Sequence, residues 1–348
     1  MHYNNVCIEA LGYELPRNVV KSITLEERLA PVYEKLNLSY GRLEMISGIK
    51  ERRFWDKGTK PSQVSCKAGN KALQKADIKP EDVMCLINAS VSRDYMEPST
   101  ACIIHHELGL SKDAVLFDVS NACLGFVNSM AILANMIELG QVTTGLITSG
   151  EVAEHLIDST IEALIQDPAP TRAKIKSSFA SLTIASGAVA IVMTHKSVSK
   201  TGFRLLGGAA RNATDHNKLC CGGENYHYMQ NKPLLMTTDS EPMMKKGCLL
   251  AKETWEATKE KLGWKNGDPQ RIFCHQVGST HRKLLYETLG LDMNKDFSTF
   301  ETLGNIGSAS APITLAIGLE NNIVKDGDKI AVLGIGSGLD CLMFGIQC

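Results

Sequence analysis

Two stretches decide the fold: "NACLGFVNSMAILANMIELGQVTTGLITSGE", residues 121–151, and "GNIGSASAPITLAIGLENNIVKDGDKIAVLGIGSG", residues 304–338. Each begins with a tight polar turn, runs through a helix rich in small residues, crosses a glycine and ends in an apolar strand closed by Ser-Gly. The agreement in spacing reads as two copies of one strand–helix–strand unit whose equivalent turns face a shared site. One turn carries Cys123 and the other carries Asn305.

Working outward, apolar runs bounded by glycine alternate with helical patterns from end to end, which predicts an α/β architecture with largely buried strands. Strands are expected near Val83–Ser90, Ala114–Asp118, Thr143–Ser149 and Ala188–Thr194, then near Phe203–Gly207, Arg271–Cys274, Lys329–Ile335 and Leu339–Ile346. Residues 151–185, with "QDPAPTRAKIKSS", lack clear periodicity and read as an excursion that caps the site. Residues 217–232 read as a second long loop. A chain of 348 residues is long enough for two similar lobes, taken here as residues 1–198 and 199–348.

The hydrophobic fraction of 44% and charged fraction of 22% are those of an ordinary globular protein. A formal net charge of -1 without a Lys/Arg run argues against nucleic acid as a partner, because phosphate binding needs a concentrated basic face. The N-terminus shows neither a basic segment nor a long apolar one, so a cytoplasmic protein is expected. The longest apolar stretch is interrupted by Asn128, Asn135 and Glu138, so it suits a core helix and not a membrane span. Eleven cysteines without CxxC spacing read as reduced thiols. The histidines show no metal-pair spacing.

Cys123 lies where a β-rich run ends and a helix begins. The helix dipole and free backbone N–H groups there are expected to stabilise thiolate, lower the pKa and make a nucleophile; the competing reading is a buried structural thiol. His275, in "RIFCHQVGSTH", follows a short apolar strand, where α/β sheets expose loop residues to a ligand crevice. It is a candidate acid–base or hydrogen-bonding group, or else a satisfied core histidine. Asn305, in "LGNIGSASAP", sits among small residues that admit a substrate, although Asn before a helix is commonly an N-cap. "GIGSGLD", residues 334–340, is followed by a strand pattern and not by a helix, so a phosphate loop is a weak reading. Its backbone N–H groups, especially that of Ser337, suit an oxyanion hole.

With "NACLGF" at Cys123, "HQV" at His275, "GNIGSAS" at Asn305, the closing "GIGSGL" and the early "SGIKERRFW" in order, the chain resembles the thiolase superfamily, in particular its ketoacyl synthase III-like condensing enzymes. The resemblance implies a thiolase fold, five-layered αβαβα with two pseudo-repeated halves. It also implies a homodimer, an acyl-Cys123 intermediate, and His275 with Asn305 at the site of carbon–carbon bond formation. No resident cofactor is implied; coenzyme A thioesters are substrates. The family's adenine-holding Trp and Arg positions are here Arg42 and Ile46, which leaves coenzyme A and acyl carrier protein both open as the thioester carrier. Lys50, Arg52 and Arg53 read as either a phosphate site or a solvated basic face.

"SVSRDYMEPST", residues 90–100, places Glu97 where decarboxylating relatives carry an apolar residue before Pro-Ser. In this the chain is similar to the olefin-biosynthesis condensing enzymes, which join two long-chain acyl-CoA molecules without loss of CO₂ and so need a base for the α-proton. The resemblance implies that Glu97 is that base, delivered across the dimer interface, and that downstream olefin-pathway enzymes take the β-keto acid onward. The alternatives are a decarboxylating synthase using a malonyl thioester, in which Glu97 only caps a helix, a thiol hydrolase, and a catalytically silent scaffold in an olefin-type pathway complex.

Overall fold

The computed structural model describes residues 1–223 and 234–348, so the expected loop at 217–232 lies partly outside the described residues. The first half runs β1 (Val6–Glu14), β2 (Asn18–Lys21), α1 (Ser22–Arg28), α2 (Ala30–Lys35), α3 (Arg42–Ser47), β3 (Glu51–Phe54) and α4 (Pro61–Ala76). It continues through β4 (Cys85–Asn88), α5 (Thr100–Leu108), β5 (Val115–Asp118), α6 (Gly125–Glu138), β6 (Thr144–Glu151), α7 (Glu154–Gln166), α8 (Arg172–Ser178) and β7 (Gly187–His195). The second half contains β8 (Arg204–Asn212), β9 (Cys220–Gly222), β10 (Met236–Thr238), α9 (Ser240–Leu262), β11 (Arg271–Cys274) and α10 (Ser279–Leu289). It ends with α11 (Phe300–Leu303), α12 (Ser310–Glu320), β12 (Lys329–Gly336) and β13 (Asp340–Gln347).

Nine strands form one sheet in the order β11-β12-β13-β8-β1-β7-β6-β4-β5. Its two parts meet where Cys7 pairs with Arg204 of β8, with a further bridge between His2 and Gly207. The parts repeat one plan. β4 runs parallel to β6, which is antiparallel to β7, as β11 runs parallel to β12, which is antiparallel to β13. β1 then lies antiparallel beside β7 as β8 does beside β13. The edge strand β5 has for its counterpart only an isolated bridge between Asp296 and Ile272.

Side-chain alternation separates five layers. In β7, Val189, Ile191 and Met193 join the central core with α6 and α12, while Ala188, Ala190 and Val192 face α4 and α5. In β12, Ile330 and Val332 point to the same central core, while Ala331, Leu333 and Ile335 face α9 and α10. A strand covered on both faces must be apolar throughout, which is why these strands are unbroken apolar runs. Nearly every residue of α12 is buried, because this helix lies against both parts of the sheet in the central core. No described helix is long and apolar enough to cross a membrane.

The eight strands expected from the sequence are present, with β8 running on as far as Asn212. The central strand β1 was not anticipated, because Glu9 interrupts its apolar run. That carboxylate is buried and satisfied, accepting from Thr194 Oγ1 at 3.0 Å and the Lys200 amide at 3.0 Å. Residues 151–185 are not an irregular excursion: they contain α7 and α8. Ile157, Ile161 and Leu164 pack on Leu25, Leu29, Val32 and Tyr33 of the first two helices. The two ends of this segment reach the site: Glu151 at its start, and Thr183 and Ala185 at its close, which bracket Asn305 through backbone hydrogen bonds of 3.0 and 2.8 Å.

Candidate active site

The turn after β5 brings Cys123 to the start of α6. Ala122 adopts a left-handed φ of 44°, and the chain enters the helix at Gly125. A methyl group at Gly125 would meet the Ala89 carbonyl oxygen at 2.7 Å, so the absence of a side chain lets the helix start against the end of β4. On the other side, a methyl at Gly336 would lie 3.6 Å from the Cys123 amide nitrogen. The backbone leading into Ser337 therefore approaches the Cys123 N–H, the pair expected to form an oxyanion hole.

The thiol itself departs from expectation. Burial pushes the Cys123 pKa up to about 12, with Cys220 and Glu151 reinforcing the shift. Its backbone hydrogen bond acts in the opposite direction and is outweighed. Desolvation of thiolate exceeds what the helix end returns, so the resting thiol is neutral.

Asn305 is buried, and its amide orientation is determined. Oδ1 accepts from the Gly307 amide at 3.1 Å and from Ser310 Oγ at 3.4 Å, which leaves Nδ2 as the end available to a ligand oxygen. It does not cap α12 directly, because a 3-10 turn, Gly307–Ala309, intervenes. The Asn305 and Cys123 turns meet at one atom: Ser308 Oγ lies 2.8 Å from the same Ala89 carbonyl oxygen on which α6 begins.

His275 follows β11, its amide bonded to the Leu333 carbonyl of β12 at 2.8 Å, which places it at the strand end that leads to Ser337. It is buried, Nδ1 has no partner among the described residues, and burial lowers its pKa to about 3, with His281 acting in the same direction. Burial likewise lowers His281 to about 4. A neutral imidazole offers one donor and one acceptor, which suits a carbonyl oxygen turning into an enolate.

Unlike these residues, Glu97 is exposed, on the loop between β4 and α5. It is not the cap of α5. Asp118 accepts from the Thr100 amide at 2.9 Å and the Ala101 amide at 2.8 Å, and Ser99 Oγ accepts from the Cys102 amide at 3.3 Å. Among the described residues no hydrogen bond or ion pair engages the Glu97 carboxylate. The basic run also differs from both of its readings. Arg52 is fully buried, donating from Nη2 to Ser22 Oγ at 2.8 Å, and Lys50 pairs with Glu301 at 2.9 Å.

Sequence reasoning passed over Glu151, Ser308, His281 and Cys220, all of which border the site. Their only sequence signal was placement: Glu151 directly follows the Ser-Gly that closes the first repeated segment, and Ser308 lies within the second turn.

Residues 117–212 match the family model described as 3-oxoacyl-[acyl-carrier-protein (ACP)] synthase III, and residues 260–346 match that of its C terminal. The chain is 40% identical to an acyl-CoA:acyl-CoA alkyltransferase of Shewanella oneidensis, covering 100% of both. It is 38% identical to one of Xanthomonas campestris pv. campestris, covering 99% of this chain and 98% of the relative. A crystal structure of a Cys-to-Ser variant of Xanthomonas campestris OleA with bound lauric acid and lauroyl-CoA superposes with a TM-score of 0.93 at 37% identity. It covers 99% of this chain and 100% of that one. With this identity over its whole length, the chain belongs to the 3-oxoacyl-[acyl-carrier-protein] synthase III-like family of the thiolase superfamily, alongside the acyl-CoA:acyl-CoA alkyltransferases.

Proposed function

We propose that the protein is an acyltransferase that joins two fatty acyl-CoA molecules by a non-decarboxylative Claisen condensation, the first step of long-chain olefin biosynthesis. The observation that carries this reading is Glu97: a carboxylate unpaired among the described residues, in a loop where Asp118 and Ser99 already do the capping, and where a malonyl-using enzyme needs no base.

In this reading Cys123 Sγ attacks the first thioester, its proton leaves with coenzyme A, and the Cys123 and Ser337 N–H groups hold the tetrahedral oxyanion. Glu97 removes the α-proton of the second acyl-CoA, while His275 and Asn305 Nδ2 stabilise the enolate oxygen. The enolate carbon attacks the acyl-Cys123 carbonyl, a carbon–carbon bond forms and the thiolate departs. The product is a 2-alkyl-3-oxoacyl thioester, and its hydrolysis gives the β-keto acid and a second coenzyme A.

Glu97 acts on the Cys123 of a second copy, so the working unit is a homodimer. Exposed Val91, Tyr95 and Met96 around it, at 51%, 49% and 65%, support a subunit contact there. Coenzyme A thioesters are substrates and no resident cofactor is required. The β-keto acid is then consumed by downstream pathway enzymes. Incubation with myristoyl-CoA alone tests the reading: coenzyme A and a β-keto acid are expected. Absolute dependence on a malonyl thioester with CO₂ release overturns it in favour of a decarboxylating synthase.

A further inference from the structure

Glu151 ends β6 and is buried, yet no step above uses it. Its Oε1 accepts from the Val91 amide at 2.9 Å; its Oε2 accepts from the Ser92 amide at 3.1 Å and Ser92 Oγ at 3.0 Å. Those two residues are the root of the loop that carries Glu97. On its other side Oε1 lies 2.8 Å from Ser308 Oγ, three residues beyond Asn305. Ser308 has one proton and also faces the Ala89 carbonyl oxygen at 2.8 Å and Ser149 Oγ at 2.8 Å. The carboxylate is the strongest acceptor of the three.

Every group aimed at the Glu151 carboxylate is therefore an N–H or an O–H, and an acceptor-only side chain is the one that satisfies all of them. An amide of the same shape would turn an NH₂ towards a donor and leave that donor buried without a partner. Ordinary strand-end carboxylates face water. This one bridges two segments, one 60 residues before it and the other 157 residues after it in sequence, both of which carry proposed site residues.

We propose that Glu151 is a positioning residue that holds the root of the Glu97 loop and the Asn305 turn on one frame, so that proton removal and enolate stabilisation stay in register. The proposal rests on the roles given above to Glu97 and Asn305. Since the Glu97 loop serves the partner copy, one carboxylate links the base delivered to one site with the enolate turn of the other.

The test is Glu151→Gln in the full-length protein with myristoyl-CoA, following coenzyme A burst, condensation product and amide hydrogen exchange at residues 91 and 92. Losing a buried donor–acceptor match predicts that condensation falls about tenfold more than the burst, with KM within about twofold, and that exchange at 91 and 92 quickens about tenfold. Removing the negative charge near Cys123 also predicts faster iodoacetamide alkylation of that thiol, while the split between condensation and burst is the readout that mere loss of packing would not move. Ser92→Ala removes one of the donors to Glu151, together with the acceptor of the Val152 amide, and should shift condensation and exchange the same way by a smaller factor. Condensation at the wild-type rate in Glu151→Gln, or burst and condensation falling in step, overturns the proposal. If the wild-type protein makes no condensation product, the functional reading fails. Exchange at 91 and 92 then decides separately whether Glu151 holds the loop: unchanged exchange overturns the clamp.

Discussion

The turn at Cys123 and the turn at Asn305 occupy equivalent positions in the two halves, each feeding a central helix that leads to a buried strand. They are nevertheless built differently. The first bends through Ala122 in the left-handed region and enters α6 with its thiol in surroundings that disfavour charge. The second bends at Gly304, φ 69°, spends a further 3-10 turn before α12, and is lined by Ser308 and Ser310. The repeat supplies placement, while local polarity decides which turn carries a neutral thiol and which an oriented amide.

Substitutions at the two turns break this comparison most directly. Cys123→Ala is expected to abolish both the acyl-enzyme, read by mass spectrometry, and the product. Asn305→Ala should leave acylation detectable but lower condensation by about 10²–10³, the usual cost of one transition-state donor. Equal loss of both steps in the two variants would mean that the turns do not divide the chemistry. The neutral state of the thiol sharpens the contrast. With a pKa of about 12, Cys123 of the free protein should react with iodoacetamide at pH 8 far more slowly than exposed Cys102 or Cys221, as peptide mapping of labelled protein would reveal.

A second contrast is between two carboxylates near α5. Asp118→Ala should lower stability by about 1 kcal/mol through loss of a helix cap, measured by urea unfolding. Glu97→Ala should leave the unfolding midpoint in place while condensation falls. The reverse pattern would make Glu97 the structural acid.

A further effect concerns pH. His275 and His281 have folded pKa values of about 3 and about 4, below the ordinary imidazole value of about 6.5. Between these limits the unfolded chain binds more protons. Stability is therefore fully present above pH 6.5 and declines as pH falls towards 4. Thermal unfolding across that range should show the decline, and His281→Gln should flatten part of it.

Legibility from sequence followed periodicity. Strands covered on both faces were visible as apolar runs, and the two repeated segments exposed the pseudo-symmetry of the halves. β1 was hidden by Glu9, whose partners, Thr194 and Lys200, lie far along the chain. α7 was hidden because the segment was read around its proline-containing middle, although Ile157, Ile161 and Leu164 keep a helical spacing. Site residues were legible as residue types at strand ends. Their ionisation was not: a helix N-terminus argues for thiolate, and only the packed surroundings reveal that desolvation outweighs it. Arg52 makes the same point, since nothing in "KERRF" distinguishes a buried guanidinium from a solvated one.

By itself the sequence determined the alternation of elements, the duplicated turn–helix–strand unit and the candidate Cys, His, Asn and Glu, because these depend on residue type and short spacing. Tertiary structure alone decided that Asp118 and not Glu97 caps α5, that Cys123 and His275 rest uncharged, and that Glu151 joins the Glu97 loop to the Asn305 turn. The physical reason is common to all three: hydrogen-bond partners and the cost of burying charge are set by groups brought together from distant parts of the chain, which no local pattern records.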